Sequence, residues 1–205
     1  MQSYITIKNH SEFEYEDRKS IFIAEAMPVE TEEEALLFIE QMKRKYPDAT
    51  HHVYAYVLKD NSIARFTDDR EPQGTAGMPV LDSIRKNGIV NAVVVVIRYF
   101  GGTLLGTGGL VRAYSAAAVG AVKAAEIITY DVYASYHLEC SYSDYQKLGL
   151  IFKDGGFKQA DIEYSDVIKI EGSIRAALSD EFENALIQAT GARISINKTG
   201  EKFDF

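Results

Sequence analysis

Cysteine is nearly absent from this sequence: Cys140 stands alone, so no internal disulfide can form and no CxxC pair is present. There is no tryptophan, and proline occurs four times in 205 residues. With 46% hydrophobic residues, that scarcity predicts a folded chain rather than a disordered one. No run of roughly eighteen apolar residues occurs, so no membrane-spanning helix is expected. The first residues, MQSYITIKNHSEFEYEDRKS, lack a basic-then-apolar signal pattern, and the expected location is the cytoplasm. Basic excess is absent too. The net charge is −8, made of −3 over residues 1–129 (14 basic, 17 acidic) and −5 over 130–205 (8 basic, 13 acidic). Charge therefore nominates no nucleic-acid module, because unselective nucleic-acid binding draws its affinity from neutralising phosphates.

What is present divides at about residue 129. In the first part, RKSIFIAEAMPV reads as a strand. TEEEALLFIEQMKRKYP reads as a helix, with Thr31 and Glu34 in capping-box spacing and an apolar face of Ala35, Phe38, Ile39, Met42 and Tyr46. HVYAYVL and SIARFT read as strands around a Lys59-Asp60-Asn61 turn. A short helix follows, with Pro79 near its start and Gly88 past its end. NAVVVVIRYF is apolar without alternation, as in a strand covered on both faces. GLVRAYSAAAVGAVKAAE is a helix of small residues, able to lie close to its neighbour. Residues 130–205 read β-α-β-β-α-β, the split βαβ or ferredoxin-like order. Ser143 with Gln146 is the expected capping box of the first helix there, and Ser179 the expected N-cap of the second.

Two stretches could carry chemistry. RYFGGTLLGTGG lies between the apolar strand and the small-residue helix. Its backbone amides and the helix start favour an anion. The candidate anion or RNA-phosphate site is Arg98, Gly101, Gly102, Thr103, Gly106, Thr107, Gly108 and Arg112. The known phosphate fingerprints fail: Thr107-Gly108 stands where a P-loop needs Lys then Ser or Thr, and Val111 where the dinucleotide motif needs its third glycine. The competing reading is close packing of strand against helix. TDDREPQGTAG holds Asp68, Asp69 and Glu71, weak candidates for a Mg²⁺ site or a general base. His51 and His52 are adjacent at a strand start and must face opposite ways. No GxSxG elbow is present and no catalytic residue is nominated.

NGIVNAVVVVIRYFGGTLLGTGGLVRAYSAAA resembles the most characteristic segment of the Impact family, in its bacterial YigZ-like branch. RKSIFIA, ATHHVYAY and DDREPQGTAGMPVL fit the same family in the same order. Members usually have Gly where this chain has Arg70. The resemblance implies an α+β chain of two domains. Residues 1–129 would form an α/β sandwich similar to the second domain of a ribosomal small-subunit protein. Residues 130–205 would form a ferredoxin-like domain similar to one in elongation factor G. It also implies a non-catalytic, translation-associated regulator without a cofactor, touching RNA or a ribosome-associated protein. Eukaryotic members bind the activator of an amino-acid-starvation kinase, and bacteria lack that pathway, so this partner does not carry over. Two alternatives remain: a Mg-dependent nucleotide- or phosphate-binding enzyme, and a protein-interaction module using Glu32, Glu33 and Glu34.

Overall fold

The computed structural model describes residues 3–59 and 63–205, so most of the expected Lys59-Asp60-Asn61 turn lies outside the described residues. The chain divides into two compact units, Tyr4–Thr129 and a second made of Tyr130–Phe205 with Ser3, so the first unit begins later than the expected residue 1, and the fold is α+β.

The first unit contains β1 (Tyr4–Ile7), β2 (Ser11–Asp17), β3 (Ser20–Pro28), α1 (Glu32–Lys45), β4 (His51–Val57), β5 (Ala64–Thr67), α2 (Gly77–Arg85), β6 (Ala92–Tyr99) and α3 (Gly106–Ala124). Its main sheet runs β2-β3-β6-β4-β5, antiparallel throughout. Both faces are covered. Val94 and Val96 of β6 join Phe22, Ala24, Val53 and Ala55 beneath α2 and α3. Val93, Val95 and Ile97 face Phe38, Ile39 and Met42 of α1. This is why NAVVVVIRYF shows no alternation. In α3, Ala113, Ala117, Ala118 and Ala121 are fully buried. Their missing bulk lets the helix lie against the sheet, and a Cβ on Gly120 would fall 2.2 Å from the Phe13 ring.

The start of α1 follows the expected cap with one change. Thr31 Oγ1 accepts from Glu34 N–H at 3.2 Å, while Glu34 Oε2 accepts from Glu30 N–H at 2.7 Å, one residue before the cap. The other end is pinned by Glu25, a buried carboxylate on β3. It accepts from Lys45 Nζ at 2.5 Å and Tyr46 OH at 2.6 Å, and lies 2.6 Å from His10 Nε2. Burial pushes the Glu25 carboxyl up, but Lys45, Tyr46 and His10 together hold it below the usual carboxylate range. Burial and then Glu25 push the Tyr46 hydroxyl up to about 12, so it remains a donor.

β1 and β2 were not foreseen. β1 docks through Val90 N–H to Ile5 O at 2.9 Å, and β2 pairs with β3 across a two-residue turn. Arg18 and Lys19 form that turn with φ of 47° and 65°, the doubly left-handed form that joins twisted strands.

From Tyr130 onward, β7 (Ile127–Cys140) belongs to the second unit and leads to α4 (Tyr142–Gly155), β8 (Lys158–Tyr164), β9 (Ile168–Arg175), a 3₁₀ turn at Ala176–Leu178, α5 (Ser179–Thr190) and β10 (Ser195–Asp204). The four strands are antiparallel in the order β10-β7-β9-β8. Two caps differ from expectation. Ser141, not Ser143, caps α4, accepting from Asp144 N–H at 3.2 Å. Its backbone is extended, as a cap requires, whereas Ser143 already lies inside the helix. Ser179 is likewise the first residue of α5, and its side chain makes no cap. Asp144 binds Arg193 and Lys147 at 2.8 and 2.7 Å, and these two hold its carboxyl far below the usual range. Cys140 is buried, which pushes its thiol up. Tyr136, Phe152, Phe157 and Phe182 form the aromatic core, while Tyr142 stays exposed.

Candidate functional site

Arg98 is the last inward-facing residue of β6. The register sets it opposite His51 on β4 and Phe22 on β3, so three strands define its place. It is only 5% exposed. A buried guanidinium needs a charged partner, and the loop between β5 and α2 supplies Glu71. Arg98 Nη1 donates to Glu71 Oε1 at 2.5 Å, and Tyr114 OH on α3 donates to the same oxygen at 2.8 Å. Arg98 Nη2 lies 3.5 Å from Ser20 Oγ, which also accepts from Gly101 N–H at 3.1 Å. The guanidinium sits 5.4 Å from the Phe22 ring centroid and 5.6 Å from that of Phe100. Burial, reinforced by Glu71, raises the Tyr114 hydroxyl far above its ordinary range, so it stays a proton donor. His51 Nδ1 donates to Asp69 O at 2.7 Å, which leaves Nε2 facing Glu71 Oε1 at 3.6 Å.

Arg98 is thus not the outward anion ligand that its position beside the glycines implied. Its charge is engaged beneath the loop, and only Nε lacks a hydrogen-bond partner among the described residues.

The three carboxylates do not converge. Asp68 accepts from Gly74, Ala76 and Gly77 N–H at 2.8, 3.0 and 2.8 Å. It caps α2 from eight residues upstream of Ala76, whose own side chain provides no cap. Asp69 accepts from His52 N–H at 2.6 Å, and Glu71 holds Arg98. Among the described residues, no group of three His, Cys, Asp or Glu is placed to hold a metal ion. The two histidines diverge as strand geometry requires: His51 faces Glu71, whereas His52 Nε2 meets Tyr46 O at 3.0 Å.

Within the glycine stretch, Gly101 is required by close approach. A Cβ there would lie 2.1 Å from the Lys19 carbonyl carbon. Gly102, at φ 81°, and Gly106, at φ 71°, take the left-handed backbone. The helix begins earlier than the sequence implied, so Gly106, Thr107 and Gly108 form its first turn. All three are exposed, and no side chain caps that end. Gly102, Thr103 and Arg112 are exposed as well.

Other cations border the loop. Arg18 Nη1 reaches Leu104 O at 3.4 Å. Arg70 Nη2 reaches Thr50 O at 3.5 Å, and Thr50 Oγ1 accepts from Phe100 N–H at 3.3 Å. Arg70 also has a loose contact with Asp69 at 3.9 Å. Phe100 and Leu104 are 46% and 80% exposed. Sequence reasoning missed Ser20, Tyr114, Arg18 and Lys19 as members of this region. The usable signal was the Arg-Lys pair between alternating SEFEYED and apolar SIFIAEAM.

The buried cluster joins all four segments that carried the family resemblance: Ser20, His51, Glu71, then Arg98 and Tyr114. Residues 18–122, which contain all five, match the Impact N-terminal domain. The IMPACT family member YvyE of Bacillus subtilis is 33% identical over 98% of this chain and 93% of its own length.

The chain belongs to the Impact family.

Its Impact domain is followed by a match to a domain of unknown function, DUF1949, over residues 138–193. Among Impact relatives, YigZ of Escherichia coli is 33% identical over 83% of this chain and 85% of its own. Human protein IMPACT is 33% identical over 44% of this chain and 29% of its own length. A crystal structure described as that of a hypothetical protein aligns with a TM-score of 0.61 and 29% identity, covering 98% of both chains. Among the described residues of this Impact protein, no helix is long and apolar enough to cross a membrane.

Proposed function

We propose that this protein is a translation-associated regulator that binds RNA or a ribosome-linked RNA surface through the glycine loop of its first unit. The supporting observation is the uncapped start of α3. Exposed amides of Gly106, Thr107 and Gly108 lie at the positive end of a 19-residue helix. In this reading Gly102, Thr103 and Arg112 complete the anion contacts, with Arg18, Lys19 and Arg70 beside them. Phe100 offers an exposed ring for base stacking. Arg98 and Gly101 set the loop from beneath, Arg98 through Glu71 and Gly101 through its contact with the Arg18–Lys19 turn. The family resemblance to an elongation-factor domain and a ribosomal-protein domain supports the same assignment, and the role would place the protein in the cytoplasm.

Co-sedimentation with ribosomes and with structured RNA over a salt series tests it. Affinity should fall as salt rises. Each phosphate contact removed, by Arg112→Ala or Arg70→Ala, should flatten the log–log salt slope by about 0.9 for duplex or about 0.7 for single strands. No binding at low salt, or slopes unchanged in both variants, would sink the reading.

A second reading is protein docking on α1, favoured by Leu36 and Leu37 at 47% and 61% exposed. Of the glutamates there, Glu32 accepts from Tyr56 OH and Glu34 from Glu30 N–H. Loss of a captured partner on Glu33→Lys with Leu37→Glu would favour it.

A further inference from the structure

In the second unit, a cavity of about 330 Å³ opens between α4 and α5. Buried Ile174 and Phe182 line it, together with Leu150 and Leu178, which are 68% and 39% exposed. Two exposed carboxylates, Asp154 and Glu181, also line it, and neither forms an ion pair among the described residues.

Local stability accounts poorly for this set. Asp154 stands in the last turn of α4, where the helix dipole disfavours a negative charge. Gly155 is not at a left-handed φ; the cap that needs one is Gly156, at 71°. A Cβ on Gly155 would meet Phe182 and Ile174 at 3.6 and 3.8 Å, which is ordinary contact. Its missing side chain therefore keeps the cleft open rather than relieving a clash. Burying exposed leucine against Phe182 would be favourable at about 25 cal/mol per Å² of apolar area.

We propose that this cleft docks a segment of a partner protein that presents one large apolar side chain flanked by Lys or Arg. Charge complementarity selects the occupant. Two carboxylates at an apolar cleft, in a unit carrying −5 (8 basic, 13 acidic), repel nucleic acid and acidic peptides and favour a cationic, amphipathic one.

The test uses the full chain with labelled Leu and Ile methyl groups. The probes are a two-heptad Leu/Lys amphipathic peptide and its Leu/Glu counterpart. The Leu/Lys peptide should shift Leu150, Leu178 and Ile174 saturably, and the Leu/Glu peptide should not. Asp154→Lys with Glu181→Lys should weaken binding by at least about tenfold, and Gly155→Leu, which fills the cleft, should weaken it too. Asp161→Lys with Asp166→Lys makes the same change in charge at exposed positions outside the cleft lining and should retain affinity within about twofold. Equal weakening in that control would mean unselective attraction and overturn the proposal. So would unmoved Leu150 and Ile174 signals. Sedimentation showing a Leu150-dependent dimer would overturn it in favour of a second copy of this chain as the occupant.

Discussion

β6 and β7 both lie inside their sheets with a neighbour on each side, yet they differ in kind. Every residue of β6 but the last is buried. In β7, Ala134, Tyr136, Leu138 and Cys140 are buried, while Ser135, His137 and Glu139 between them are less so. The first sheet has helices on both faces, and the second buries one face under α4 and α5. A polar side chain on the open face can turn to water. One inside the covered sheet must find a partner in the protein. Arg98 meets that requirement through Glu71, and the loop that presents Glu71 also presents Asp68 and Asp69.

Breaking the buried pair should therefore give the largest effect. Arg98→Met leaves the buried Glu71 carboxyl without its guanidinium partner, and should cost about 3–5 kcal/mol in urea unfolding. Adding Glu71→Gln, which removes the unpaired carboxylate and keeps an acceptor for Tyr114 OH, should recover part of that loss. On the open face, His137→Ala removes contacts with Glu139 and Glu171 and should cost less than about 1 kcal/mol. Equal losses would refute the contrast.

Glycines divide the same way. Gly101→Ala forces a Cβ into the Lys19 backbone and should destabilise by about 1–3 kcal/mol in thermal or urea unfolding. Gly149, exposed within α4, has nothing within 4 Å of an added Cβ. Gly149→Ala should stabilise by up to about 1 kcal/mol.

Each unit also contains a carboxylate with a depressed pKa: Glu25 in the first and Asp144 in the second. A group lowered by folding adds stability above its unfolded pKa, about 4.3 for Glu and 3.9 for Asp, and loses it as pH falls towards the folded value. Below about pH 4, the stability advantage of the wild type over Asp144→Asn or Glu25→Gln should shrink. An advantage that does not change with pH would contradict both assignments.

The smallest change concerns Arg70, a residue with a side chain in a left-handed turn position. Its φ is 70°, the left-handed region, which costs a side-chain-bearing residue roughly 1–2 kcal/mol. Glycine gives back part of that relief as unfolded-chain entropy. Arg70→Gly should therefore stabilise by no more than about 1 kcal/mol in calorimetry while removing one exposed cation.

Much of the fold was legible from local pattern. The unbroken apolar run of β6, the alanine face of α3, the Thr31 cap and the β-α-β-β-α-β order all follow from spacing along the chain. The caps at Ser143 and Ser179 were misplaced because several serines near a helix start satisfy the same rule. Only the backbone turn decides which one is extended. β2 was missed because its glutamates hid the alternation of Phe13 and Tyr15.

The candidate site was legible as a set of segments but not as a geometry. Residue type and spacing identified the glycine stretch, the acidic loop and the histidine pair, and the segments that hold them carried the resemblance to the Impact family. Whom each charge meets was decided by tertiary structure. Arg98 bonds Glu71 at a separation of 27 residues and Ser20 at 78, and Tyr114 bonds Glu71 at 43. Such partners depend on strand order and register, which bring distant segments side by side. Local propensity acts over a few residues and carries no information about that choice. Chain pattern thus established that a charged residue ends a doubly covered strand, and packing alone turned it inward to Glu71.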